Sequence, residues 1–268
     1  CLISYFADND FSATPAMDIR EISSPATMFS ISLPFLAILG ATLINKAILY
    51  LLIILITLSV ILISIFRKTI QTKQYPLAVV MIGISLLFHI SFVSDYLIGA
   101  DIHLEYYVSK LTKDNLYWDM NNPSASWSLE ASDYNSMASI TILPIIYSSI
   151  LNIDLAHVFK IIYPFFFSLV PLGLYSMYRK QMGELRAFLA SFFFMSQFTF
   201  YTEMLGLCRQ MIAELFFILL ILLILDSEVS KFKKNVLILI FGAALVVSHY
   251  SVTYLFMFYI LVSYIILH

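Results

Sequence analysis

Long runs of apolar residues without a charge are the feature that most limits how this chain can fold. Residues 47–66 are the clearest example, and comparable runs of about 15 to 22 residues recur along the sequence. Because a helix rises about 1.5 Å per residue, about 20 apolar residues span the roughly 30 Å hydrocarbon core of a bilayer. The chain is also 61% hydrophobic and 12% charged, whereas soluble domains are about 45–50% apolar and about 25% charged. The sequence therefore predicts a membrane protein.

The runs are apolar on all sides, which favours transmembrane helices over the alternating strands of an outer-membrane barrel. We predict an all-α, multi-pass transmembrane helical bundle, because each helix satisfies its own backbone hydrogen bonds in lipid. About eight crossings are expected, at residues 29–44, 47–66, 77–97, 158–178, 185–202, 210–225, 236–248 and 252–267. They form a single transmembrane domain over residues 1–268. Apolar residues reach both ends, so we expect this domain to be an internal piece of a longer protein.

Lysine and arginine residues cluster in three short connections and indicate how the bundle is oriented. These residues are Arg67, Lys68 and Lys73, then Arg179, Lys180 and Arg186, and then Lys231, Lys233 and Lys234. Positive residues favour the cytoplasmic side of a membrane. The alternation holds if residues 135–151, which are rich in serine, form a juxtamembrane interfacial helix instead of a crossing. Residues 98–151 are then an outer loop with juxtamembrane helices, on the outer face of the cell membrane.

The predicted outer loop is acidic and contains both tryptophans of the chain, Trp118 and Trp127. Such a loop is often no more than a solvated surface with aromatic interface anchors. Asp101 and Glu105, however, directly follow a predicted crossing and lie one turn apart on one face of the next predicted helix. Two adjacent carboxylates repel each other, which can raise the pKa of one and suits a general base or a divalent-metal site. Asp101 and Glu105 are therefore the candidate catalytic pair, with or without a metal.

The order of these segments resembles the opening of the GT-C superfamily of glycosyltransferases. The shared pattern is a crossing that ends at an outer-face Asp, a Tyr-rich juxtamembrane helix, a Trp-containing loop and a second interfacial helix. GT-C enzymes are multi-pass proteins that take sugars from polyprenyl-phosphate carriers. The resemblance implies that Asp101 is the catalytic base or a metal-linked residue, and that Tyr106 belongs to the substrate-binding residues.

Nearly the whole chain is also similar to an uncharacterised family of archaeal multi-pass membrane proteins. The segments that carry this similarity are SLLFH (85–89), DIHLEYY (101–107), SITILP (139–144), FKIIYP (159–164), FYTEM (200–204), RQ (209–210) and SHY (248–250). That family has no established activity. The expected activity therefore follows from the broader GT-C resemblance.

Further polar residues occur where a site on the outer face would need them. Glu203 and Arg209 flank the turn between two predicted crossings, and Glu214 lies about a turn and a half into the second. An acid inside a crossing is costly unless it is paired or wetted, so Glu214 is either a site residue or a structural partner of Arg209. Arg209 and Lys160 are candidates for binding a carrier phosphate, and His249 for binding a phosphate or sugar. Lys160 also fits a snorkelling lysine at a helix end, and His249 a structural hydrogen-bonding residue.

These observations and the resemblance predict a glycosyltransferase-like membrane protein that transfers a sugar from a polyprenyl-phosphate carrier at the outer face. The expected partners are the lipid bilayer and the polyprenyl-phosphate-linked sugar, with no nucleic acid. A divalent metal at Asp101 and Glu105 is the cofactor that the residues suggest. Two other classes stay open. One is a transporter or lipid flippase that uses the polar residues at membrane depth, and the other is a non-catalytic membrane scaffold.

Overall fold

The computed structural model describes residues 24–43, 46–66, 72–119 and 129–267, and these ranges contain helices and no strand. The helices are α1 (Pro25–Thr42), α2 (Lys46–Ile65), α3 (Tyr75–Ser91), α4 (Asp101–Asn115), α5 (Leu129–Asn135), α6 (Ala138–Thr141), α7 (Leu143–Leu151), α8 (Leu155–Met182), α9 (Glu184–Met195), α10 (Phe198–Tyr201), α11 (Cys208–Leu225), α12 (Lys231–Ser248) and α13 (Tyr250–Leu267). The predicted all-α class is confirmed for this part of the chain. Arg67, Lys68, Trp127 and residues 1–23 lie outside the described residues.

Five helices of the described ranges are long and apolar enough to cross a membrane. They are α1, α2, the helix Thr72–Ser91 that contains α3, α8 and α11. Their burial differs strongly, because 61% of α11 is buried inside the protein and only 22% of α2. Exposed apolar helices of this length need a lipid surrounding. The helices therefore support a membrane-embedded protein, with α3 and α11 near the centre of the bundle and α2 at its edge.

The structure changes two of the predicted crossings. The crossing predicted at 77–97 ends at Ser91, whose hydroxyl donates to the Lys160 carbonyl oxygen on α8 at 2.7 Å. The crossing predicted at 185–202 is broken after Met195. There, the side chains of Ser196 and Gln197 both donate to the Phe193 carbonyl oxygen, and such local bonds compete with helix continuation. The remaining 12-residue α9 is about 18 Å long, which is too short to span a bilayer core alone.

The last two predicted crossings form a pair of helices separated at His249, as expected. α12 begins at Lys231, earlier than predicted, and so contains three lysines in its first turn. α13 follows directly after His249. Neither helix belongs to the five that meet the length and composition of a span, so the prediction of eight crossings is not confirmed.

The helix predicted at residues 135–151 is shorter than expected: an apolar helical stretch covers Ala138–Leu151 and consists of α6 and α7, while its place at the membrane interface stays a prediction. Pro144 stands at the start of α7, where it lacks an N–H that the preceding turn would need. α6 is buried between other helices. The Ser139 hydroxyl donates to the Ser248 carbonyl oxygen at 3.1 Å, and the Tyr163 hydroxyl donates to the Ser139 carbonyl oxygen. The segment thus links α8 to α12 inside the bundle.

Candidate functional site

Two glycines bring the loop before α4 into backbone contact with the turn before α11. Gly99 has a φ of 124°, and a Cβ added to it would lie 2.6 Å from the Gly206 Cα. Only a glycine fits this position without strain. The contact lies two residues before Asp101 and three before Arg209. It therefore fixes the starts of the two helices that carry the candidate site.

Gly99→Ala is expected to destabilise the protein by at least about 1–3 kcal/mol, since it adds both an unfavourable φ and a backbone clash. A lower melting temperature of the purified protein in detergent would show this. Gly206→Ala should have a smaller effect, because its Cβ would approach the Gly99 Cα at 3.3 Å. Gly242→Ala is the matched control, as its Cβ meets nothing within 4 Å and α12 should gain from alanine. Equal melting temperatures for the Gly99 and Gly242 variants would contradict the assigned contact.

Arg209 lies in the first turn of α11 and binds both candidate carboxylates of α4. Its Nη2 donates to Asp101 Oδ2 at 2.9 Å, and its Nη1 donates to Glu105 Oε1. The guanidinium carbon lies 4.2 Å from the centre of the Tyr134 ring, a cation–π contact. Asp101 and Glu105 therefore share one face of α4, as predicted. They meet a guanidinium there instead of forming an isolated pair of like charges.

Asp101 is the solvent-facing carboxylate of the site, with 40% of its side chain exposed. Tyr134 donates its hydroxyl to Asp101 Oδ2 at 2.9 Å. Burial opposes ionisation, but the hydrogen bonds from Arg209 and Tyr134 outweigh it and lower the pKa of Asp101. Burial and the bond to Asp101 raise the pKa of Tyr134 to about 12, so its hydroxyl keeps the proton that it donates. Asp101 is thus an ionised carboxylate that is held through Oδ2 and partly open to solvent.

Glu105 is the buried carboxylate, with no exposed side-chain surface. Its Oε2 accepts the backbone N–H of Cys208 at 2.9 Å, and its Oε1 accepts Nη1 of Arg209. Burial raises the pKa of Glu105 to about 7, against the attraction of Arg209. Because no part of this side chain reaches solvent, it joins α4 to α11 and positions Arg209. A residue must be exposed to contact a substrate directly, and of the two carboxylates Asp101 is the exposed one.

A Glu105→Gln variant should change how stability depends on pH. The folded-state pKa of Glu105 is about 7, above its ordinary value of 4.5. Between these values the folded protein binds more protons than the unfolded chain, so this carboxyl's favourable contribution is lost as pH rises. The melting temperature of the wild type minus that of Glu105→Gln should therefore be highest below about pH 4.5 and fall through about pH 7. Parallel curves over this interval would contradict the raised pKa, since Asp101 is present in both proteins.

Two acids predicted near Arg209 do not bind it. Glu203 lies on the exposed side of the 3-10 turn Glu203–Gly206 and forms no ion pair with Arg209. Glu214 accepts a hydrogen bond from Gln210 Nε2 at 2.8 Å, one helical turn away on α11. Of the two roles considered for Glu214, the structural pair with Arg209 is therefore not formed.

Lys160 lies on α8, and Tyr106 lies on α4 directly after Glu105 in sequence. Lys160 Nζ donates to the Ser94 carbonyl oxygen, and the Tyr106 ring packs edge-on against Phe159 with centroids 5.7 Å apart. A small pocket opens here, between the end of α3 and α8. It is lined by Ser91, Tyr96, Leu97, Ile98, Ile102, Phe159, Lys160 and Leu205. Asp101 and Arg209 do not line this pocket, but Ile102, which follows Asp101 in sequence, does.

His249 is a buried imidazole between α12 and α13, close enough to Arg209 to be affected by its charge. Burial and then the charge of Arg209 lower the pKa of His249 to about 4. His249 Nδ1 accepts the backbone N–H of Ser251 at 3.1 Å, which places the proton of the neutral ring on Nε2. His249 is therefore a neutral hydrogen-bond donor near the candidate site.

Tyr134 is the site residue that the sequence did not predict. Its position at the end of α5 is fixed by the neighbouring Asn135, whose carbonyl oxygen accepts Trp118 Nε1 at 2.9 Å. The Asn135 side chain also donates to the Asp119 carbonyl oxygen at 2.8 Å. These bonds tie α5 to the segment after α4. A tyrosine in an acidic loop gives no local signal of such a role, because its partners are distant in sequence.

The described residues contain no group of three or more His, Cys, Asp or Glu side chains that could hold a metal ion. Asp101 and Glu105 offer two carboxylates, but the guanidinium of Arg209 occupies the position between them. A divalent cation would have to displace this charge. The arrangement therefore does not fit the metal site considered from the sequence.

The fold and the site define a helical membrane protein with a carboxylate–guanidinium centre at one end of its helix bundle. Comparisons with family models, curated proteins and solved structures give no match to this chain. The functional argument therefore rests on the geometry of Asp101, Arg209 and their neighbours.

Proposed function

We propose that the protein is a GT-C-like glycosyltransferase that transfers a sugar from a polyprenyl-phosphate carrier at the outer face of the cell membrane. The observation that carries the proposal is Asp101, an ionised and partly exposed carboxylate that Arg209 and Tyr134 hold in one position. A fixed carboxylate beside apolar helices suits a reaction between a lipid-borne donor and a water-borne acceptor. The carrier's chain stays in the bilayer while the sugar reaches the polar end of the bundle.

In the proposed reaction, an acceptor hydroxyl oxygen attacks the anomeric carbon of the donor sugar and forms the new glycosidic bond. The bond between that carbon and the carrier phosphate oxygen breaks, and its electron pair leaves with the phosphate. Asp101 orients the acceptor hydroxyl and takes its proton as the new bond forms. Its lowered pKa makes Asp101 a weak base in the resting protein, so the proton moves late, when the attacking oxygen has become acidic.

Arg209 serves in this proposal to hold Asp101 and not to grip the carrier phosphate. Its guanidinium already binds the two carboxylates Asp101 and Glu105, whose combined charge exceeds its own. Lys160, which lines the adjoining pocket, is the candidate cation for the leaving phosphate. One of the three N–H donors of its ammonium is used by the Ser94 carbonyl oxygen, which leaves two for a ligand. His249, with its proton on Nε2, is a further donor for a sugar or phosphate oxygen.

The proposal is tested by transfer of radiolabelled sugar from a polyprenyl-phosphate donor, with the purified full chain in lipid vesicles. Extracts from the source membranes provide the acceptors, and the product is separated from the lipid donor by phase partition. We expect label in the aqueous or acceptor phase in proportion to the amount of protein. Label that stays in the lipid phase with every donor sugar tried would overturn the proposal.

Glu214 supports a second candidate function, transport or lipid flipping. It is a carboxylic acid inside the apolar helix α11, where its bonded partner is the uncharged Gln210. Acids at such depth commonly serve ion or substrate paths. Flux of substrate into protein-containing vesicles that is lost in Glu214→Gln, without any glycosyl product, would favour this function over transfer.

A further inference from the structure

The three lysines at the start of α12 differ in their contacts. Lys234 points towards the neighbouring helix end, where its Nζ donates to the carbonyl oxygens of Ile224 and Asp226, both at 2.8 Å. It therefore satisfies carbonyl groups at the C-terminus of α11. Lys231 and Lys233 are exposed, and within the described ranges neither forms an ion pair. Two positive charges thus face outward without a partner from the described chain.

An apolar stripe continues from these lysines along the outer side of α12. Its residues recur every three or four positions, which places them on one face of a helix. They are Phe232, Val236, Leu239, Ala243 and Val246. Phe232 is 79% exposed and Leu239 is 73% exposed, so the rest of the bundle does not cover this face. From Phe232 to Val246 the stripe is about 21 Å long, so it is long enough to meet lipid tails over much of a bilayer.

We propose that Lys231 and Lys233 bind the phosphate of an anionic phospholipid whose acyl chains lie along this stripe. A phospholipid bound here would place its headgroup at the lysines, at the end of the helix, and its acyl chains along the apolar stripe. Phe232 lies between the two lysines in sequence, and the lysines project about 100° to either side of it around the helix axis, so they flank the stripe. Aromatic side chains mark the boundary between headgroups and tails. A zwitterionic headgroup would leave both positive charges less well neutralised, so the site should prefer a net negative lipid.

The inference is independent of any activity at Asp101 and can be tested with the purified full chain. The protein is equilibrated in detergent with equal amounts of phosphatidylglycerol and phosphatidylcholine, and the lipids retained are counted by native mass spectrometry. We expect wild type to retain phosphatidylglycerol in preference. Loss of each lysine should weaken this retention about fivefold, so K231Q/K233Q should lose about twenty- to thirtyfold. K231R/K233R should keep the preference, because it keeps both charges.

K46Q/K110Q is the matched control. It removes two other exposed lysines, one at the start of α2 and one on α4, and so changes the net charge of the protein equally. The proposal predicts unchanged lipid retention in this variant. Equal losses in the two glutamine variants, or none in K231Q/K233Q, would overturn it. So would a dimer of the wild type that Leu239→Ser dissociates, because a second copy would then cover the stripe.

Discussion

Arg209→Ala is expected to destabilise the protein by about 3–5 kcal/mol above pH 7, where Glu105 is ionised, because it leaves this buried carboxylate without its cation. The backbone N–H of Cys208 would remain as a hydrogen-bond donor to Glu105, but an amide cannot balance a charge. Asp101 and the Tyr134 ring would lose their contacts with the guanidinium as well. Thermal or denaturant unfolding of the purified protein in detergent measures the loss.

A double-mutant cycle separates the buried pair from other effects of the truncation. Glu105→Ala with Arg209→Ala should lose clearly less stability than the sum of the two single variants, because the second change removes the charge that the first left unpaired. Arg186→Ala is the matched control, since this arginine is exposed and its loss should change stability by no more than about 0.5 kcal/mol. Strictly additive losses at Glu105 and Arg209 would contradict the buried pair.

The helices could be predicted because apolar runs and lipid leave few alternatives for the backbone. Their ends were less predictable, since they depend on local hydrogen bonds that hydrophobicity does not report. Residues 185–202 show this, because the break after Met195 comes from Ser196 and Gln197, two residues inside an otherwise apolar run. The division of residues 135–151 has the same origin, with Pro144 at the start of α7.

The candidate residues of the site could be named from the sequence, but their partners could not. A structural pair between Arg209 and Glu214, five positions later on the same helix, was one of the two roles considered for Glu214. Five residues turn an α-helix through about 500°, which leaves the two side chains about 140° apart around the axis. Arg209 instead meets Asp101, which is 108 positions away. That pairing depends on the contact of Gly99 with Gly206, and a backbone contact between distant loops leaves no periodic pattern in a sequence.

The sequence predicted a raised pKa for one of the two carboxylates, Asp101 or Glu105, but for a different physical cause. Two carboxylates on one helix face were expected to repel each other, so that their closeness would raise one pKa. In the structure the pKa of Glu105 is raised, mainly because the side chain is buried. The pKa of Asp101 is lowered by its hydrogen bonds. The difference between the two groups is a matter of exposure, 40% against 0%. Exposure depends on how α4 packs on α11, which helix spacing alone does not determine.

Asp101→Asn is expected to reduce sugar transfer about 100- to 10,000-fold, the range that loss of a general base produces. The amide oxygen of asparagine can still accept the hydrogen bonds of Arg209 and Tyr134, so the side chain should keep its position while losing its charge and basicity. A near wild-type melting temperature would verify that the fold is retained. The initial rate of transfer, measured at saturating donor, reports the loss.

Asp133→Asn is the matched control for this substitution. Asp133 is also an exposed acid, it lies next to Tyr134 in sequence, and it forms no bond with Arg209. We expect its transfer rate to stay within a few-fold of wild type. If Asp101→Asn transferred sugar at the wild-type rate, the role of Asp101 would be wrong even though the protein is a transferase. If wild type itself showed no transfer, the class of reaction would be wrong. The two failures are therefore distinguishable, because wild type transfers sugar in the first case and does not in the second.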